Sequence, residues 1–501
     1  MKALTGVLRK LDDWCNPIAV KELRQAVQGR FIAGLLLLFL LGQLVTMAAI
    51  LLTRDEYGYE YEAGRDVFLI LFAILIGTCL LFLPAYTAVR LIIERSRANV
   101  DLYFVTALRP RTIVWGKFLS GLVLAVVIFS AFMPFLTFTY LLRGIDLGVI
   151  FFMLVYGFIA TAFAIQLAGF LACIPATRLL RALLGLVGLG IIGWMTLNIL
   201  RMAYVVLMWG MEFSGDLRRL LGALIVTLVV VLTAMGYLFV WSVALLSPPS
   251  ANRALPVRLY MFITWLITGA GAFIWGLAEH DTSPVEAWLV LAVIMFCVAL
   301  LTAVSEREAQ GPRVARRIPR SRWLRVFAFL FYSGAAGGVL WACLMICLSL
   351  LVLPLFNAIT LLRFRSTTHV ADIVSGSAGL ALYVFCYAMT ASLIRRGLFR
   401  KATQGHTWII AVFLAGIAFL VSVLRFILHA DPWAYREVWN LANPTLVFSG
   451  NEETRSLAFT FVSVWAGIVT LLSLPWFHRQ VRSFRPHGGA PGPQSPALSH
   501  G

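Results

Sequence analysis

Charged residues are scarce in this chain, and their scarcity excludes most classes of soluble protein. Asp, Glu, Lys and Arg make up 13% of its 501 residues, whereas 61% are hydrophobic and the mean hydropathy is +0.89. A helix needs about 20 apolar residues to cross a bilayer, and apolar runs of this length recur along the whole chain. The composition therefore predicts an all-α, polytopic membrane protein, because only helices satisfy their backbone groups in lipid at this segment length.

Motifs for catalysis, metal binding and nucleotide binding are missing as well. The seven Cys residues form no C-x-x-C pair, and the chain has no H-E-x-x-H, no G-x-S-x-G and no G-x-x-x-x-G-K-[ST] phosphate loop. No stretch between the apolar runs is long enough for a nucleotide-binding domain. We therefore expect a chain that is not an enzyme and has no catalytic residue, metal or cofactor of its own.

Twelve apolar segments predict twelve membrane spans. They cover residues 31–52, 67–89, 118–141, 148–173, 182–200, 220–246, 259–278, 287–304, 327–354, 374–393, 408–428 and 457–477. With the N-terminus inside, the internal segments hold 30 basic residues and the external segments hold 10. This bias places both termini in the cytoplasm, and it explains the net charge of +18 better than nucleic-acid binding does.

The segment before the first span, residues 1–30, predicts two amphipathic helices on the inner leaflet. Leu4, Val7, Leu8, Leu11 and Trp14 recur at helical spacing, which is typical of an interfacial helix. A second helix follows: Asn16 can cap it, Pro17 suits its first turn, and it continues to Gln28.

The arrangement of spans predicts two halves of the same topology. Residues 31–246 form one half and residues 259–477 the other, joined by a cytoplasmic linker at 247–258, with a disordered cytoplasmic tail at 478–501. In each half a basic segment follows the second span, Arg90–Lys117 in the first and Ser305–Arg325 in the second. Coincidence of loop lengths is the alternative, since no identity between the halves is visible.

Two sequence patterns in the first half resemble those of a known family. One is Asn16-Pro17-Ile18 with Lys21-Glu22-Leu23-Arg24; the other runs from Glu94-Arg95-Ser96-Arg97 through Val100-Asp101-Leu102-Tyr103-Phe104 and Thr106-Ala107-Leu108 to Gly116-Lys117. Together they resemble the permease subunits of type-2 ABC exporters. In that family an N-P-x-x-x-K/R-E-L/I-R elbow helix precedes the first span. An E-R-E-x-G-T-L-E-x-L-L-x-T-P-L segment ending in G-K joins the second and third spans.

The resemblance implies a coupling helix in segment 90–117 that docks on a separate ABC ATPase, which binds the ATP and Mg. The implied contact residues are Glu94, Arg95, Arg97, Val100, Asp101, Phe104 and Leu108, and the implied elbow residues are Asn16, Pro17, Lys21, Glu22 and Arg24. Val100, Phe104 and Leu108 would be apolar anchors, while the charged residues would form the rim. An amphipathic segment lying on lipid headgroups is the alternative interpretation.

Some positions depart from the family pattern. Ser96, Ala98 and Asn99 replace its second Glu, its Gly and its Thr, and Ala107 replaces its Pro. The second half keeps only Ser305-Glu306-Arg307-Glu308 before an Arg-rich run. These departures leave open whether the second half contacts an ATPase.

We therefore expect a permease subunit of an ATP-driven exporter in the inner (plasma) membrane. Its partners would be an ABC ATPase, the lipid bilayer and, as an open alternative, a second permease chain, but no nucleic acid. Two other functions remain: a twelve-span secondary transporter, or a membrane scaffold whose basic face recruits a partner or anionic lipid. The scarcity of ionisable residues inside the spans disfavours a proton-coupled antiporter.

Overall fold

The computed structural model describes residues 16–53, 63–94, 109–142, 145–175, 177–209, 213–248, 251–308, 311–361, 370–399, 404–429, 441–448 and 452–485. Within these ranges the regular structure is helical, without a strand. Twelve of the described helices are long and apolar enough to cross a membrane. The predicted all-α, multi-pass membrane fold is thus confirmed.

The chain divides into two compact units, Met1–Pro248 and Pro249–Gly501. The described helices of unit 1 are α1 (Pro17–Gln28), α2 (Arg30–Thr53), α3 (Ala63–Glu94), α4 (Pro110–Leu141), α5 (Leu147–Cys173), α6 (Arg178–Trp209) and α7 (Phe213–Leu246). Those of unit 2 are α8 (Ala254–Glu279), α9 (Ser283–Ala303), α10 (Pro312–Ala315), α11 (Arg322–Phe331), α12 (Ala335–Leu361), α13 (Val370–Gly397), α14 (Thr407–His429) and α15 (Glu452–Ser483).

The core of unit 1 is built around α3. Helix α3 packs against α4 and α5, and Phe68, Phe72 and Leu75 are fully buried. Gly157 on α5 allows the two backbones to come close, because a Cβ there would lie 2.6 Å from Ile76 Cδ1. Lipid tails are as apolar as these side chains, so close packing rather than exclusion from water holds such helices together.

Helix α9 has the corresponding role in unit 2. It packs against α12 and α13, and Leu289, Phe296 and Leu300 are fully buried. The Phe296 ring meets the ring of Trp341 on α12 edge to face, with centroids 5.6 Å apart, a favourable geometry for aromatic pairs. In both units, then, the second long helix is the packing centre.

The ninth span starts later than hydropathy predicts. The apolar run at 327–354 is not one helix, because α11 ends at Phe331 and α12 begins at Ala335. The break at Tyr332, Ser333 and Gly334 is hydrogen-bonded by side chains of neighbouring segments. A hydropathy window cannot detect such a break, since the residues on both sides are apolar.

The limits predicted for the fifth span and for the tail also differ from those in the structure. Arg201 does not interrupt the fifth span, because α6 continues to Trp209 with Arg201 exposed on its surface; a long Arg side chain can reach the interface from such a position. Helix α15 likewise continues to Ser483, so residues 478–483 belong to a helix rather than to the tail, and Phe484 is buried. Residues 486–501 lie outside the described residues.

The predicted coupling segment is shorter at both ends than the sequence suggests. Arg90–Glu94 form the end of α3, and Pro110–Lys117 form the first two turns of α4. The linker 247–258 shortens too, because α8 begins at Ala254. Proline at the first position of α4 explains where that helix starts, since its fixed φ suits a first turn and its missing N–H costs nothing there.

Candidate functional site

The elbow helix α1 begins as its sequence predicts. Asn16 has an extended backbone, and its side-chain Oδ1 accepts a hydrogen bond from the Ile18 N–H at 3.0 Å. Pro17 occupies the first turn. This cap satisfies one of the backbone donors that a helix start leaves open.

The capping residue also ties α1 to the base of α4. The amide Nδ2 of Asn16 donates to the Thr112 carbonyl at 2.7 Å, although 96 positions separate the two residues. Gly116, one turn further along α4, lies directly against this end of α1. A Cβ on Gly116 would come within 2.9 Å of both Asn16 Nδ2 and Ile18 Cβ, so any side chain larger than hydrogen would push the helices apart.

A buried ion pair makes the second connection between these helices. Lys117 Nζ donates to Glu22 Oε1 at 3.0 Å, and the exposed fractions of the two side chains are 8% and 5%. Removing either partner would leave a charge in a site with little water, which is far more costly than losing an exposed pair. The E of the elbow motif and the K of the G-K motif are therefore direct partners.

The remaining elbow residues have a different environment. Pro17, Lys21 and Arg24 are exposed. Gln25 accepts a hydrogen bond from Arg90 Nη1 at 3.3 Å, which links α1 to the end of α3. The helix thus contacts the two helix ends that flank residues 95–108.

The predicted coupling residues cannot be placed. Arg95, Arg97, Val100, Asp101, Phe104 and Leu108 lie outside the described residues. Glu94 is the last residue of α3, and its side chain is not described. Their role as contacts for an ATPase stays a prediction.

In unit 2 the acidic residues after the second span bind within the unit. Glu306 accepts from Arg258 Nη2 through both carboxylate oxygens, each at 2.5 Å, and from the Gly334 N–H at 2.7 Å. Arg258 also donates to the carbonyls of Leu330 and Tyr332 at 2.7 and 2.8 Å. A single guanidinium nitrogen thus donates to both carboxylate oxygens. Hydrogen bonds between charged groups are stronger than neutral ones, and this pair fixes the end of α11 and the start of α12.

The neighbouring residues of this motif are bound in the same way. Glu308 Oε1 accepts from Arg395 Nη2 on α13 at 2.6 Å, and Arg395 is buried. Ser305 Oγ accepts from the Trp408 N–H at 2.9 Å at the start of α14. The segment Ser305–Glu308 therefore holds the ends of four long helices of unit 2, α8, α12, α13 and α14.

The buried charged side chains of the described residues have similar places relative to the long helices. They are Glu22, Lys117, Arg258 and Arg395; each lies near the end of a long helix or before one, and each has a partner of opposite charge. The part of the chain that the structure describes contains no cluster of three His, Cys, Asp or Glu residues suited to a metal ion. A cavity of about 20 Å³ beside Lys117, also lined by Thr87, Gln166 and Cys173, has room for a water molecule rather than a transported molecule.

Sequence reasoning did not foresee the partners in these clusters. The sequence patterns identify Gly116 and Lys117 only as the end of a motif, and they do not single out Thr112, Arg258 or Arg395. The sequence does contain one indication for Lys117, Arg258 and Arg395: a charged residue inside or at the edge of an apolar run needs a partner.

No family model, curated protein or solved structure matches this chain.

Proposed function

We propose that this chain is the membrane-spanning subunit of an ATP-driven ABC exporter and works with a separately encoded ATPase that binds ATP and Mg. The observation that carries the proposal is the contact between α1 and α4. The two patterns that resemble the type-2 exporter permeases lie almost 100 positions apart, yet their Asn, Glu, Gly and Lys residues meet in space. Patterns that matched by chance would have no reason to contact each other.

The contacts of α1 with α3 and α4 suit the transmission of a displacement of residues 95–108 to these helices. Residues 95–108 connect the end of α3 to the start of α4, and α1 is bonded to both of these ends through Arg90–Gln25 and Lys117–Glu22. A partner that displaces this connection would move α3, α4 and α1 together. Residues 95–108 would contact the ATPase, with Val100, Phe104 and Leu108 as anchors, on the cytoplasmic side of the inner (plasma) membrane.

The distribution of charge supports an ATP-driven mechanism over an ion-driven one. Ion- and proton-coupled transporters place ionisable residues near the middle of the membrane. The buried charged residues described here are instead at helix ends and are paired within their own unit. Energy supplied by a partner ATPase requires no such site.

Affinity purification of the tagged chain in mild detergent, followed by mass spectrometry, tests the proposal. The native chain should retain an ABC ATPase, and a variant with Val100→Asp, Phe104→Asp and Leu108→Asp should lose it. A variant with Gly489→Asp, Ala490→Asp and Gln494→Asp, which adds the same charge to the C-terminal tail, should retain it. Absence of an ATPase from all three, together with gradient-driven flux by the chain alone, would replace the proposal with a secondary transporter.

A further inference from the structure

The segment between α9 and α12 in unit 2 packs against the rest of the unit and is not an extended loop. Val314, Ala315 and Ile318 are buried, and the last two pack in one cluster with Ala328 and Phe484. Tyr332 donates its hydroxyl to the Arg317 carbonyl at 3.1 Å. The apolar side chains of the segment therefore point into the unit and fix its backbone.

The arginines of this segment lie on its exposed side. Arg316, Arg317, Arg320 and Arg322 are exposed, and none of them has an ion pair among the described residues. No Asp or Glu occurs between residues 309 and 371 of the sequence. The two carboxylates of this segment, Glu306 and Glu308, are paired with Arg258 and Arg395, so the segment itself does not balance the positive charge of this surface.

The helix that follows presents an apolar face beside these arginines. Trp323 is 82% exposed and Phe327 62% exposed, and Leu324 and Val326 are exposed on the same side of α11. The opposite side packs on the unit, where Phe329 contacts the rings of Phe477 and Phe484. A helix of ten residues with Trp and Phe on one open face is too short to span a bilayer.

We propose that Arg316, Arg317, Arg320 and Arg322, together with the open face of α11, form a binding surface for anionic phospholipid at the edge of the membrane. The inference does not depend on the proposed transport function. The apolar side chains would enter the boundary between headgroups and acyl chains, where Trp is favoured. The arginines would bind the phosphates, because a guanidinium matches phosphate oxygens with two parallel hydrogen bonds.

Charge complementarity favours lipid over a protein as the occupant. A protein groove for α11 would need an apolar surface bordered by acidic residues, whereas an anionic bilayer offers apolar tails and phosphates in the same order as this surface. The position of α11, directly before the membrane-spanning helix α12, places it where headgroups lie.

Binding of tail-labelled phosphatidylglycerol to the purified full chain in detergent tests the proposal. Phosphatidylglycerol should bind more tightly than phosphatidylcholine. The variant with Arg316→Gln, Arg317→Gln and Arg320→Gln should lose about tenfold or more in affinity at low salt. The difference should shrink at high ionic strength, since screening weakens exposed charges.

A matched control removes three other exposed arginines. Arg111→Gln, Arg178→Gln and Arg181→Gln change the net charge equally and should leave phosphatidylglycerol affinity within about twofold. Helix content and elution volume show that each variant is folded. Equal loss in both variants, or no preference for phosphatidylglycerol, would overturn the proposal. So would a protein that copurifies with the native chain and is lost with the Arg316 variant while lipid binding stays unchanged.

Discussion

The segment after the second long helix has different ion pairs in the two units. In unit 1 the buried pair Glu22–Lys117 binds the elbow helix to α4 at one flank of residues 95–108. In unit 2 the corresponding acidic residues, Glu306 and Glu308, are themselves the partners of buried arginines. A carboxylate that already accepts two or three internal hydrogen bonds is poorly available to a partner protein. The comparison therefore favours unit 1 as the unit that would contact the proposed ATPase.

The largest effect is expected from Arg258, which has four described hydrogen bonds. Arg258→Met removes them and leaves Glu306 without its arginine partner and two carbonyls without their donor, which should destabilise unit 2 by about 4 kcal/mol. Thermal unfolding of the purified chain in detergent measures it. Arg307→Met, at the exposed position next to Glu306 in the sequence, is the control and should change stability by less than about 0.5 kcal/mol. Similar midpoints for both variants would mean that the Arg258–Glu306 pair does not hold the break between α11 and α12.

Glu22 should be the most sensitive residue of the elbow. Glu22→Gln removes the carboxylate charge that Lys117 Nζ binds in this buried site, at a cost of about 3 kcal/mol. The double variant Glu22→Leu with Lys117→Met should recover most of this stability, because an apolar pair of similar volume needs no counter-charge. With the single variants Glu22→Leu and Lys117→Met, this double variant completes a double-mutant cycle, and thermal unfolding of the four proteins gives the coupling energy. Additive effects would show that the two side chains act independently.

The double variant also distinguishes the effect of the ion pair on stability from its effect on the transmission of motion to α1. It should fold while transmitting motion less faithfully from residues 95–108 to α1, because the directional ion pair is gone. If the chain works with an ATPase as proposed, the ATPase activity of the purified complex is the measurement, and a lower stimulation by the variant chain is expected. Unchanged stimulation would restrict Glu22 and Lys117 to a structural role.

Gly116 should show a smaller effect that depends on packing alone. Gly116→Ala places a Cβ 2.9 Å from Ile18 Cβ, and the overpacking should cost about 2 kcal/mol. Gly185→Ala on α6 is the matched control, since nothing lies within 4 Å of its Cβ position, and it should stabilise slightly through helix propensity. Thermal unfolding of both variants tests the difference; equal midpoints would contradict the close contact between α1 and α4.

The smallest effect is expected at the exposed pair of unit 2. Arg455 Nη1 lies 2.7 Å from Asp372 Oδ1, with 26% and 52% of the side chains exposed. Arg455→Ala should therefore cost less than about 1 kcal/mol, and the cost should vanish at high salt. Unfolding midpoints at two ionic strengths give the result; a large, salt-independent loss would mean that this pair is not an ordinary surface contact.

Hydropathy alone predicted twelve spans, because a bilayer demands long apolar segments wherever the chain crosses it. It failed where hydrogen bonds between segments far apart in the sequence decide the structure: the break before Ala335 depends on Arg258, Glu306 and Asn252. The cap at Asn16 was predictable since it involves adjacent residues. The pairing of Glu22 with Lys117 was not, because a charge at the edge of an apolar run shows that a partner is needed but not that the partner lies 95 positions away.

The most direct test of the central claim is photo-crosslinking in cells with a photoreactive phenylalanine analogue in place of Phe104 and, in a parallel strain, in place of Arg316. Mass spectrometry identifies the adducts. If unit 1 couples the chain to an ATPase, the position of Phe104 will crosslink to an ABC ATPase and the position of Arg316 will not. An ATPase adduct from the Arg316 position alone, or none from Phe104, would contradict the account.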